Sequence, residues 1–204
     1  MPRIRLVFSK SGFASFISHQ DLPELFSRAA RRAGLVCEWT QGFSPHPHLV
    51  IGPPLPMSVQ GEQEPAEFWF EQWGEDSLAR WNEKLIDGLE LLRAKEVDGL
   101  SLAKLCEAAE YRIAVRGKTN LTAVASGLKA IMGSGDNLLF MQEDSDAVTL
   151  CVKDIERCSA AFFVRGLTEN AIIEGWRDLS MTRLCVGKWN AAKHKIDPLV
   201  ETTG

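Results

Sequence analysis

The sequence predicts an α+β fold of two tandem ferredoxin-like units, split βαβ repeats whose antiparallel sheets carry helices on one face. Three observations predict it. Short runs alternate apolar and polar residues with period two, and the longer runs between them repeat apolar residues at helical spacing. The order strand, helix, strand, strand, helix, strand occurs twice, each time over roughly 90 residues. Glycine, proline and capping residues fall at the joints between runs. Residues 1–100 make the first unit and 108–187 the second, leaving 188–204 as a C-terminal tail.

Arg3 to Ser9 alternates Ile4, Leu6 and Phe8 against Arg3 and Arg5, a strand with one buried face. Lys10-Ser11-Gly12 breaks it, and Ala14 to Ile17 extends it after a bend. Leu22, Leu25, Phe26, Ala29 and Ala33 then form one helical stripe. Proline is tolerated only in the first helical turn, so Pro23 makes Asp21 the N-cap, with Glu24 completing a capping box and Gly34 ending the helix. Leu35 to Thr40 is the second strand. A Gly42 to Pro47 turn, a short apolar run at His48 to Ile51 and a strand at Ala66 to Trp73 follow, and Trp69 and Trp73 share one side of that strand. A helix at Asp76 to Leu89 and a strand at Leu89 to Val97 close the first unit.

In the second half, Tyr111 to Val115 alternates. Asn120 to Met132 is a helix with Leu121, Val124, Leu128 and Ile131 on one side, capped by Thr119 or Asn120 and stopped at Gly133. Leu138 to Gln142 and Val148 to Val152 form a hairpin. Thr168 caps a helix to Arg177, and Met181 to Val186 is the last strand. Residues 154–167 match no single period.

Of the 204 residues, 45% are hydrophobic and 25% charged, the composition of an ordinary globular protein, and no apolar run nears the roughly 20 residues of a membrane helix. The start runs straight into a strand, so a signal peptide is not expected and a cytoplasmic location is. Five widely spaced cysteines without a CxxC pair argue against a disulfide framework, a zinc knuckle or an iron–sulfur cluster. Neither a cofactor nor a metal of the chain's own is therefore predicted. The net charge of −4 is uneven: 6 Lys/Arg against 3 Asp/Glu in residues 1–60, 5 against 13 in 61–110, and 12 against 11 thereafter. A general polyanion binder is excluded, and a basic face on the first third remains.

The unusual residues concentrate in Gly42 to Pro56, where two Gly, five Pro and two His surround a short apolar run. Loops stiffened in this way and carried on a rigid scaffold are where binding concentrates. Just before it, Arg28, Arg31 and Arg32 crowd into five residues, the first two on the solvent side of their helix and Arg32 nearer its edge. Arginine forks phosphate well, although Glu24 and Arg28 are also spaced to pair with each other. In the turn, Gln41, Gly42, Phe43, Ser44, Pro45 and Pro47 offer a ring to stack on a base, and Phe43 alternatively plugs the edge of the core. His19, Asp21 and His46 are candidates for an acid/base or metal-assisted centre, because imidazole titrates near neutral pH and a carboxylate orients it. A cap accounts equally well for Asp21.

Three segments carry a resemblance: KSGFASFISHQDL, RAARRAGL and QGFSPHPHLVIGPPLPMSV. With Ser18-His19, Asp21-Leu22, Arg31-Arg32, Gly42-Phe43, Pro45-His46-Pro47 and Gly52-Pro53 in order, residues 3 to about 72 resemble a bacterial family of radical-SAM-linked domains of unknown function. The chain departs from that pattern at His48, where the family usually has a basic residue, and at Pro23. The resemblance implies a radical-SAM protein as partner and a connection with RNA or ribosome maturation. Without a CxxxCxxC cluster here, the iron–sulfur enzyme is another polypeptide. The expectation is an accessory module for RNA or a ribonucleoprotein, with phosphate on Arg28, Arg31 and Arg32. The alternatives are a hydrolase or metal-assisted enzyme centred on His19, Asp21 and His46, and a protein-interaction adaptor using the acidic segment 61–110.

Overall fold

Ile4, Leu6 and Phe8 alternate along β1 (Arg3–Lys10), and all three are buried against α1 (Leu22–Arg32) in one core. The computed structural model describes residues 1–133 and 135–201. On either side of β1 lie β3 (Gln60–Trp69) and β4 (Leu89–Glu96), both antiparallel to it. The short strand β2 (Leu49–Ile51) pairs with the other edge of β3. α2 (Ser77–Asn82) closes this core with Trp81, which lies edge-on to Phe26, Phe68 and Phe70 and donates its indole N–H to the Phe26 carbonyl at 3.1 Å. On the opposite face of β1, Arg5 and Glu67 form a buried ion pair at 2.6 Å beneath the Leu100 carbonyl.

α3 (Leu102–Leu105) connects the halves. In the second half, β5 (Ala108–Val115) runs antiparallel between β7 (Ala147–Lys153) and β8 (Leu179–Asn190), with β6 (Leu138–Glu143) outside β7. α4 (Leu121–Met132) and α5 (Ala160–Glu169) bury Val124, Leu128, Phe163 and Leu167 with Tyr111, Ile113, Val148 and Leu150 of this sheet. Asn120 caps α4 as expected, its side-chain oxygen accepting from the Ala123 N–H at 2.9 Å.

The fold is mixed helix and sheet with a single open, mostly antiparallel sheet in the order β4-β1-β3-β8-β5-β7-β6, not two separate sheets. β3 begins at Gln60, six residues before its expected start. Those extra residues give β8 an edge to meet in parallel, Gln60 opposite Thr182 and Gly61 opposite Arg183. Leu55 and Val59 cross the same seam into the second core.

Other expectations are corrected. Ala14 to Ile17 does not extend β1; Gly12 at φ +54° turns the chain into a 3₁₀ turn over Gly12–Phe16. The capping box at α1 is not formed, because the Asp21 carboxylate accepts from the Ser18 hydroxyl at 2.6 Å instead of capping a backbone N–H. Leu35 to Thr40 makes only isolated pairs, Cys37 with Phe70 and Trp39 with Pro47, since β2 takes most of the edge of β3. The last helix is α5, eight residues before Thr168 to Arg177. Ser159 is its N-cap, and Ala160, Phe163, Val164 and Leu167 supply a buried i, i+3, i+4, i+7 stripe. The expected tail continues the sheet: β8 runs to Asn190, and β9 (Lys195–Pro198) returns beside it. Gly187 permits that return, as a Cβ there would lie 2.0 Å from the Asp197 carbonyl oxygen. Among the described residues no helix is long and apolar enough to cross a membrane.

Candidate functional site

Two turns of α1 and the irregular segment after it enclose a groove of about 570 Å³ lined by Arg28, Arg31, Val36, Cys37, Trp39 and Pro47. It exists because Leu35 and Cys37 point into the first core while Val36 and Trp39 point out, leaving Trp39 54% exposed. Arg28 is held by Glu24 at 2.5 Å, one turn earlier, an exposed pair that solvent screens. Arg31 has no ion-pair partner among the described residues and faces the groove as its second cation. Arg32 is diverted: its guanidinium donates to the Lys84 carbonyl at 2.6 Å and ties α1 to the end of α2. Burial pushes the Cys37 thiol up to about 11, so it stays uncharged at neutral pH.

Beside the groove, Gln41, Gly42, Phe43, Ser44 and Pro45 are all exposed. Phe43 does not plug the core; its ring stands fully in solvent. His46 holds this turn closed, donating from Nδ1 to the Ser44 carbonyl at 3.0 Å, with Thr40 Oγ1 3.2 Å away. His48 stacks flat on Trp69 with ring centroids 3.8 Å apart, and its Nδ1 lies 3.6 Å from a Glu38 oxygen. Trp69 and Trp73 therefore do not share a side. β3 ends at Trp69, and beyond that end Trp73 turns into the first core against Phe70 and Trp81.

His19, Asp21 and His46 are not brought together. His19 lines a cavity of about 430 Å³ with Ile51, Pro53 and Cys106. His46 lines a different hollow with Pro23 and Leu49. Asp21 is exposed and bonded to Ser18. No trio of His, Cys, Asp or Glu among the described residues is grouped as a ligand set.

Behind the His19 cavity, the seam between the halves holds charges that the sequence reading did not single out. Arg183 is 0% exposed. It donates to both carboxylate oxygens of Glu64, at 2.9 and 2.5 Å, and to the carbonyls of Pro53 and Pro54, at 2.7 and 3.2 Å. Burial disfavours its charge, but Glu64 more than compensates and keeps the guanidinium protonated. Lys10, also buried, donates to the Ile17 carbonyl at 2.8 Å, and its pKa is lowered by burial above all. The Tyr111 hydroxyl is buried beside Arg183, and burial above all raises its pKa. A signal was available: Arg183 stands at the same parity as the buried Leu179 and Met181, where a strand with one apolar side offers no water to a charge.

Burial, then the Arg183 charge, hold the His19 imidazole below its usual 6.5, with Glu64 opposing and Lys10 assisting. The fold therefore favours neutral His19. That contribution to stability is complete above about pH 6.5 and is lost as pH falls through the lower folded value. Calorimetry between pH 7 and 5 is expected to show a larger drop in Tm for the native chain than for His19→Asn. Burial pushes the neighbouring Cys106 thiol up to about 12, so the cavity presents no thiolate nucleophile at neutral pH.

No curated protein matches the chain. A crystal structure of an unknown protein from Galdieria sulphuraria is similar over 89% of this chain and 96% of its own, at 8% identity and a TM-score of 0.29. Residues 3–157 match the family described as an uncharacterized protein conserved in bacteria, DUF2344. That span takes in the groove, the exposed turn and the His19 cavity, and the chain belongs to this bacterial family.

Proposed function

We propose that the chain is an accessory module that holds single-stranded RNA, or the RNA of a ribonucleoprotein, for a radical-SAM enzyme supplied as a separate polypeptide. The observation that carries the RNA reading is the placement of Arg28, Arg31 and the half-exposed Trp39 in one groove beside the solvent-exposed Phe43. Aromatic faces stack on any base and arginines take the phosphates between them, a combination suited to single strands. Arg32 leaves the set of phosphate contacts because it serves α2. The radical-SAM partnership rests on the motif resemblance of residues 3 to about 72. We also take the halves as tandem ferredoxin-like units, supported by the strand orders β4-β1-β3-β2 and β8-β5-β7-β6. A catalytic centre at His19, Asp21 and His46 has less support, since His19 and His46 line different cavities and Asp21 is exposed.

The test is retention of a single-stranded RNA by the native chain and by Arg28→Glu/Arg31→Glu. The double variant is expected to lose retention near physiological salt. At low salt, where both bind, its log K against log salt slope should be shallower by about 1.4, two contacts at roughly 0.7 each. Trp39→Ala should weaken binding roughly 5- to 150-fold, the value of about 1–3 kcal/mol for one stacked base. Native affinity in the charge-reversed chain would overturn the RNA reading.

A further inference from the structure

β2 offers an unpaired strand edge. It pairs with β3 in the register Leu49–Phe68, Val50–Glu67 and Ile51–Ala66. The Trp69 N–H donates to the His48 carbonyl at 3.1 Å and the Gly52 N–H to the Pro65 carbonyl at 2.8 Å. Antiparallel bonding alternates along a strand, so residues 48, 50 and 52 face β3, while Leu49 and Ile51 turn their N–H and C=O groups the other way. Neither has a backbone partner beyond the strand ladder among the described residues. β8 occupies the same side of β3 only at Gln60 and Gly61, so the sheet forks and the outer edge of β2 looks into the gap.

The two ends of this edge open into different hollows. Leu49 lines a hollow of about 340 Å³ with Pro23 and His46, and Ile51 lines the His19 cavity. Before Leu49 the same edge ends at Pro47, which has no N–H to donate. After Ile51, Pro53 and Pro54 stop it, held by Arg183. Native sheets protect such edges with charges or a strand proline, but Leu-Val-Ile carries neither, and Val50 is 41% exposed. The open stretch spans roughly 7 Å at about 3.4 Å per residue, enough for a short added strand.

The cavity at the Ile51 end states the chemistry of the occupant. Glu107, Asp154 and Glu156 line it, no lysine or arginine does, and these carboxylates form no ion pair among the described residues. Leu102 and Ile155 give an aliphatic stem a surface to lie on. The three exposed carboxylates favour a cation over phosphate at its rim, which separates this surface from the arginine groove.

We infer that the outer edge of β2 accepts an extended peptide of a partner protein as an added strand, with an arginine or lysine of that peptide seated in the His19 cavity. Main-chain bonds to Leu49 and Ile51 supply affinity, and the carboxylates select the basic side chain.

The probe is acetyl-Val-Thr-Arg-Thr-Val-amide, titrated into the full chain with NMR detection. Saturable binding and slowed amide exchange at Leu49 and Ile51 are expected. Affinity should fall at least tenfold when the peptide amides are N-methylated, when its Arg is replaced by Glu, and when the chain carries Glu107→Gln/Glu156→Gln. The Arg28→Glu/Arg31→Glu chain should bind the peptide like the native one, so this inference and the RNA groove fail independently. Absence of saturable binding, or persistence of native affinity in any of the three weakened cases, overturns the inference. So does an RNA oligonucleotide that displaces the peptide and protects the same two amides.

Discussion

Glu64→Ala is expected to lower the free energy of unfolding by about 3–5 kcal/mol, the cost of leaving one partner of a buried ion pair alone. For a chain of this length that corresponds to a fall in Tm of roughly 6–20 °C. The cause is local: Arg183 would keep its bonds to the Pro53 and Pro54 carbonyls but lose both carboxylate oxygens while 0% exposed. Water cannot replace them without opening the seam between β3 and β8, which consists of two residue pairs. Replacing both partners, Glu64→Leu with Arg183→Met, should recover most of the loss, because an apolar pair of similar volume carries no desolvation cost. Thermal and denaturant unfolding of the single and double variants check this. A double variant no more stable than Glu64→Ala would mean that Arg183 holds the Pro53-Pro54 turn in a way packing cannot replace.

Trp81→Ala is expected to cost about 3–5 kcal/mol as well, for a different reason. Trp81 is fully buried, and the rings of Phe26, Phe68, Phe70 and Trp73 surround it with centroids between 4.9 and 6.4 Å away. Alanine leaves a void that these rings can only partly fill. Trp81→Phe keeps most of the edge-to-face packing and loses the N–H bond to the Phe26 carbonyl, so its destabilisation should be the smaller of the two. The change also reaches the groove, because Phe26 lies in α1 between Glu24 and Arg28. If RNA is held as proposed, Trp81→Ala should weaken it near the lowered Tm and leave it unchanged well below.

Much of the chain's local structure was legible in its residues. Alternation in Ile4, Leu6 and Phe8, the stripe of α1, and Asn120 ahead of α4 are signals complete within a few neighbouring positions. The arginine groove was legible in part. Crowding pointed to Arg28, Arg31 and Arg32, but the diversion of Arg32 depends on Lys84, 52 positions away. Phe43 had two readings from sequence, because exposure is a property of the packed surface. α5 was misplaced because Thr168 imitates a cap, whereas the true stripe begins at Ala160.

Sequence alone determined where β1, α1 and α4 lie, that the first third carries positive charge, and that Gly42 to Pro56 is rich in stiffening prolines, since each depends on residues close together in the chain. The tertiary structure alone decided that β3 and β8 join the halves into one sheet, that Glu64 and Arg183 meet across 119 positions, and that His19 and His46 line different cavities. Those outcomes depend on long-range register and on which charges lose their water together, and neither quantity is written in any local window of the chain.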